Sequence, residues 1–359
     1  MKWPAHGGQP RKMMETIGVS ERIKVYDFSA NINPFGPPKE LQEYYIQAYE
    51  ALVSYPDPDY EEAHRAIAEY DQVKREQVLL TNGGAEAIFL VAQYFMGKRA
   101  LIIHPTFSEY ERACLAHQVD VKHLMLDKNF LFPIEDIVRA MADVDVVFLC
   151  NPNNPTGTLL SMMDIEFLLM KGMETNTTVV VDEAFVHFLP SDYESVHILI
   201  GKHPNLIVLR SLTKMFAIPS LRAGYVISRE PLVQQLRKFQ IPWSVNGVVA
   251  SLLPMLLSNT SFLEKTKKWL QQELVELKTT LAELRFEYSP TMVNFYLLRD
   301  KDRPDDTNEL FHFLIANGIV PRHTHNFMGL NGQYLRLAVR STFENEYLIQ
   351  TLIKWREQK

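Results

Sequence analysis

Cysteine is scarce in this chain: Cys114 and Cys150 are the only two in 359 residues, and they stand far apart without C-x-x-C spacing. That excludes a disulfide framework and a cysteine-based zinc site, and it fits a reducing, cytoplasmic setting. Long apolar runs are missing too. No stretch approaches the roughly 18 residues of a membrane span, and the polar opening MKWPAHGGQPRKMME lacks the apolar centre of a signal peptide. No membrane association is expected. Positive charge is not in excess either: the net charge is −6 and the pI is near 6.0. A nucleic-acid partner is therefore not expected, and any attraction for an anionic ligand must be local. Internal repeats and low-complexity tracts are also lacking.

What is present is ample apolar material, 47% of residues, in a chain long enough to bury a large core and to divide into two domains. From about Val78 to Ser228 the runs VLL, ALIIH, VDVKHLML, VDVVFLC, TTVVVD, NLIVLR and AGYVIS read as strands, many separated by helical runs. That alternation predicts an α/β domain with a mostly parallel sheet covered by helices. From about Ser244 a long helical region leads to FEYSPTMVNFYLLR, a helix near Asn308 to Asn317, the strand YLRLAVRS and a final amphipathic run. These predict a smaller α+β domain completed by the N-terminal arm. The expected division is 46–244 for the large domain, and 1–45 with 245–359 for arm and small domain.

The chemistry concentrates in SLTKMFAIPSLRAGY, Ser211 to Tyr225. Lys214 can form a Schiff base with an aldehyde, while Ser211, Thr213 and Arg222 offer two hydroxyls and a permanently charged fork to a phosphate. An aldehyde and a phosphate on one molecule describe pyridoxal 5'-phosphate. In isolation an S-x-x-K is more often a capped turn, so other segments must decide. In LTNGGAEAI a glycine pair precedes a helix-forming run, giving Gly83, Gly84 and Ala85 a phosphate-cradling role, or simply a turn. A run of valines ends in Asp182, a carboxylate at a strand's C-terminal end that can pair with a protonated pyridine nitrogen or serve as a cap or ion-pair partner. VVFLCNPNNPTG runs a buried strand into a turn where the Asn154 amide can reach a ring oxygen; the same turn in most proteins is surface punctuation. His323 and His325 lack a third ligand type nearby and read as structural.

Together and in this order, the glycine turn, N-P-T-G, D-E-A and S-x-T-K followed by an arginine resemble the aspartate-aminotransferase superfamily of fold-type-I pyridoxal-phosphate enzymes. The resemblance covers nearly the whole chain. It implies Lys214 as the Schiff-base lysine, Asp182 on the pyridine nitrogen, Asn154 on the 3'-oxygen, and Ser211, Thr213 and Arg222 on the cofactor phosphate. It also implies a homodimer in which Tyr55, in SYPDPDY, reaches the partner's phosphate. Phe107, in HPTFSEY, stands where the family stacks an aromatic ring on the cofactor; ordinary core packing is its other reading.

Within the superfamily AHGGQP, DFSANINPFGPP, IPWSVN and YLRLAVRS resemble the threonine-phosphate decarboxylase branch, with the histidinol-phosphate aminotransferases as near neighbours. That resemblance implies a small phosphorylated amino-acid substrate, decarboxylated for cobalamin biosynthesis and contacted by His6, Gly7, Asn31, Asn154, Arg322 and Arg336. Phe185 points the same way, because the aminotransferase relatives usually carry Tyr there. His6 as a terminal residue, Asn31 as a turn former and the two arginines as surface ion-pair partners are the ordinary alternatives.

Overall fold

A computed structural model of the chain describes residues 3–19 and 24–358. Thirteen strands form three sheets among the described residues. The largest has seven strands: β2 (Val78–Asn82), β3 (Arg99–His104), β4 (Asp120–Met125), β5 (Val146–Cys150), β6 (Thr178–Asp182), β7 (Leu206–Ser211) and β8 (Ala223–Ser228). Their spatial order is β2-β8-β7-β6-β5-β3-β4. All seven runs predicted as strands are here. Only β8 is reversed, pairing antiparallel with both β2 and β7.

Both faces of this sheet are covered, and the sequence shows why. Along β5, Val147 and Leu149 join one apolar cluster while Val146, Phe148 and Cys150 join the other. Along β6, Val179 and Val181 face one way and Val180 the other. Successive side chains alternate between faces, so a strand covered on both sides reads as a continuous apolar run.

The smaller domain holds an antiparallel sheet of order β12-β13-β10-β9, made of β9 (Phe286–Tyr288), β10 (Phe295–Asp300), β12 (Arg322–His323) and β13 (Leu335–Ala338). The N-terminal arm joins this region through a short parallel pair, β1 (Tyr26–Asp27) with β11 (Ile319–Val320). The helical region expected from about Ser244 is two helices, Gly247–Ser258 and Thr260–Glu283. Asn259 breaks it: its side-chain oxygen accepts from Phe262 N at 3.2 Å, capping the second helix as the first ends. No single described helix is long and apolar enough to cross a membrane.

Candidate active site

Strand direction assembles the site. β2, β3, β5, β6 and β7 run parallel and deliver Asn82, His104, Cys150, Asp182 and Ser211 to one edge of the sheet, where open α/β sheets bind ligands. Because β8 runs the other way, its beginning lies at that same edge. Ala223 pairs with Asn82, and Gly224 with Ser211, so Arg222 arrives beside the glycine turn and the lysine segment.

Lys214 is half-buried there. Its Nζ donates to Ser211 Oγ at 2.9 Å, and that oxygen also lies 2.9 Å from Thr213 Oγ1. Burial pushes the Lys214 ammonium down to about 8; Asp182 opposes this and Arg222 adds to it. The amine is thus poised to exchange a proton near neutral pH. Gly83 begins the helix Gly83–Tyr94 with φ at +76°, a conformation that favours glycine. A Cβ on Gly83 would lie 2.6 Å from Arg222 Nη2, and a Cβ on Gly224 would lie 2.7 Å from Gly84 N. The turn, the helix start, Ser211 and the guanidinium therefore meet around a space for an anion, with the helix N–H groups adding to the field.

A cavity of about 100 Å³ opens from this space, with Ala85, Phe107, Asn154, Asp182, Lys214 and Arg222 among its walls. Asp182 is buried at its floor. Burial pushes its carboxyl up, while a hydrogen bond from Tyr110 and the field of Lys214 draw it down. Asn154 is oriented by Arg336, whose Nη1 donates to Asn154 Oδ1 at 2.7 Å; the amide nitrogen is the end left to donate into the cavity.

Phe107, Asn154 and Lys214 also border a second cavity of about 150 Å³, reached by His6, Gly7, Asn31, Arg322 and Arg336. Every residue expected to touch substrate lines this space. Arg336 is 7% and Arg322 3% exposed. Burial pushes both guanidinium groups down, Arg336 to about 9 with repulsion from Arg322 contributing and the Asp27 carboxylate opposing, and Arg322 to about 10. Among the described residues neither forms an ion pair with a carboxylate. Arg336 Nη2 donates to Ser29 O at 2.6 Å, but its buried Nε has no partner, nor has Asn31 Oδ1. Buried cations without a carboxylate ion pair, one of them with an N–H left free at Arg336 Nε, make a receptor for an anion.

The N-terminal arm closes over this cavity. Arg322 Nη1 donates to Pro4 O at 3.1 Å and Nη2 to Ala5 O at 2.6 Å, and Gly8 N donates to Ser29 Oγ at 2.8 Å. The two glycines after His6 have a steric cause: a Cβ on Gly7 would sit 2.1 Å from Ser29 O, and Gly8 has φ at +85°. His6 borders the cavity, yet its Nε2 lies 3.0 Å from Glu109 Oε1. His323 and His325 pack against Trp3, with ring centroids at 4.5 Å in each case.

One expected ligand stands apart within the chain. Tyr55 is 83% exposed and packs on Trp243, with centroids 4.9 Å apart. Sequence reasoning also missed three contributors: Tyr110, which donates to Asp182; Ser29, which ties the arm to Arg336; and Cys150, in the cavity wall. Tyr110 lay three residues from Phe107, a spacing that puts both on one side of a helical turn. Ser29 carried no comparable signal.

Over residues 23–352 the chain matches the family described as aminotransferase class I and II. It belongs to that family. A threonine-phosphate decarboxylase of Salmonella typhimurium is 35% identical over 352 residues, covering 97% of this chain and 95% of the relative. The crystal structure of a histidinol-phosphate aminotransferase from Clostridium acetobutylicum superposes with a TM-score of 0.88 at 30% identity, covering 92% of this chain and 99% of that one. An L-threonine-O-3-phosphate decarboxylase structure from Porphyromonas gingivalis gives 0.83 at 28%, with the same coverage. The fold is that of the fold-type-I pyridoxal-phosphate enzymes, and class I and II family members use pyridoxal 5'-phosphate. The residues present fit that cofactor: a half-buried amine with a lowered pKa, a buried carboxylate, and an anion space that a Cβ on Gly83 would fill.

Proposed function

We propose that this class I/II family member decarboxylates L-threonine O-3-phosphate to (R)-1-aminopropan-2-ol phosphate, the compound that the resemblance connects with the side arm of cobalamin. The observation that carries the reading is the pair of buried arginines, Arg322 and Arg336, facing a cavity continuous with Lys214 and lacking carboxylate partners among the described residues. Sequence similarity supports it, since the decarboxylase relative is 35% identical over 97% of this chain. The structural likeness to a histidinol-phosphate aminotransferase keeps transamination as the second reading.

In this proposal Gly83, Gly84, Ala85, Ser211, Thr213 and Arg222 hold the cofactor phosphate, Asp182 the ring nitrogen, Asn154 the 3'-oxygen, and Phe107 one face. Pyridoxal 5'-phosphate supplies an electron sink for a bond at the substrate's Cα when bound. The chain's own residues decide which bond breaks. Arg322 and Arg336, with His6 and Asn31, anchor the substrate phosphate, so the carboxylate is left without a charged clamp and is free to depart as carbon dioxide. Lys214 Nζ, held near neutrality by burial, or a water then returns a proton to Cα. Phe185 places an apolar ring in the wall where a tyrosine would bring a hydroxyl, and Lys214 Nζ lies 5.7 Å from its centroid. The arm, tied to Arg322 through Pro4 O and Ala5 O, narrows the opening of the cavity.

We also infer a two-fold homodimer with Tyr55 reaching the partner's cofactor phosphate. Its exposure supports this, as do the exposed Tyr49, Leu52, Val53, Ile241 and Trp243.

The test is carbon dioxide release from L-threonine O-3-phosphate without any 2-oxo acid. Consumption of 2-oxoglutarate with histidinol phosphate, and no carbon dioxide, would establish the second reading instead. For substrate anchoring, Arg322→Ala removes a charge-assisted contact of roughly 1.5 to 3 kcal/mol. It should lower kcat/KM for phosphothreonine far more than for threonine. Equal losses would assign Arg322 to the carboxylate.

A further inference from the structure

Tyr110 is fully buried in the first turn of the helix Glu109–Ala116, three residues beyond Phe107. Its hydroxyl donates to Asp182 Oδ2 at 2.7 Å, while Ala184 N donates to the other oxygen, Oδ1, at 2.9 Å. The two donors fix the plane of the carboxylate. The same ring packs edge-on against Phe107, with centroids 5.9 Å apart at 85°, and stacks on Phe148 of β5 at 5.5 Å and 21°. One side chain thus touches both the group opposite Lys214 and the aromatic wall of the cofactor cavity.

We propose that Tyr110 is a positioning residue, holding Asp182 as an ionised, oriented carboxylate and setting Phe107 against the cofactor face. The proposal rests on the assignment of Asp182 to the ring nitrogen. The groups that act on Asp182 are Tyr110, Lys214, Cys150 and Glu183. Among them Tyr110 is the one whose side chain makes a hydrogen bond to the carboxylate. Burial favours the neutral acid, which cannot pair with a protonated ring; the phenol donor opposes that and needs no charge of its own. Its hydroxyl remains a donor across the working pH range, because burial and then Asp182 push its pKa well above the ordinary value.

Tyr110→Phe keeps the ring and its contacts with Phe107 and Phe148 and deletes only the donor. In the purified holoenzyme, cofactor affinity measured by absorbance titration should fall about tenfold or more, as expected for a hydrogen bond to a charged group. The pH at which the bound cofactor's absorption band changes should also shift. In an Asp182→Asn background, adding Tyr110→Phe should cost little further affinity, because the carboxylate it serves is gone. Unchanged affinity and spectrum in Tyr110→Phe would overturn the proposal, as would an equal loss in both backgrounds, which marks mere packing. Should Asp182→Asn alone leave affinity and spectrum intact, the Asp182 assignment itself fails and this proposal falls with it.

Discussion

Replacing Lys214 by Met should make the cofactor-free protein more stable. The folded state holds this lysine near 8 against an ordinary 10.5, and at about 1.36 kcal/mol per pH unit the gap costs about 3 kcal/mol at neutral pH. Met keeps most of the side-chain volume and needs no hydration. Losing the bond to Ser211 Oγ takes back about 1 kcal/mol, though Thr213 still engages that hydroxyl. The net gain is about 2 kcal/mol, a large share of the 5–15 kcal/mol typical of a folded protein. Its pH dependence follows from linkage. The unfolded chain binds the proton more tightly, so wild type loses stability as pH falls from 10.5 towards 8 and carries the full penalty below. The gain in Lys214→Met should therefore be complete at pH 7 and fade as pH rises towards 10.5. Urea unfolding of both cofactor-free proteins between pH 7 and about pH 10 measures it. A less stable variant, or a gain indifferent to pH, would refute the reasoning.

Two further outcomes are expected. Arg210 is buried within 3.4 Å of Asp71 and 3.0 Å of Glu183, so Arg210→Met leaves two buried carboxylates without their cation and should cost about 3–5 kcal/mol in urea unfolding; an unchanged midpoint would contradict this. Tyr55→Phe should leave the sedimentation of a dimer unchanged yet weaken cofactor affinity by roughly the 1.5 to 3 kcal/mol of a charged hydrogen bond, and a fully active wild-type monomer would rule out the composite site.

The local parts of this site were legible because their chemistry lies within short spacings. Ser211, Thr213, Lys214 and Arg222 fall within one segment, and the glycine pair adjoins the helix it starts. Valine-rich runs announced the central strands because a strand covered on both faces has no polar side to show. The halves of the long-range contacts carried no such mark. Asp182 lies 72 positions from Tyr110, and Asn154 lies 182 from Arg336. Their meeting depends on which strands are neighbours and on β13 in the small domain facing the turn after β5. Arg322 gives the plainest case. As a letter in VPRHTH it pointed to the substrate but left a surface ion-pair partner as the ordinary alternative. Tertiary structure buried it, turned its donors to Pro4 and Ala5, and left it without a carboxylate among the described residues. Sequence by itself determined the kind of chemistry and the order of the strands that carry it. Burial, and with it the lowered pKa of Lys214 and of the two arginines, came only from the fold, because desolvation is a property of surroundings that no single residue or spacing contains.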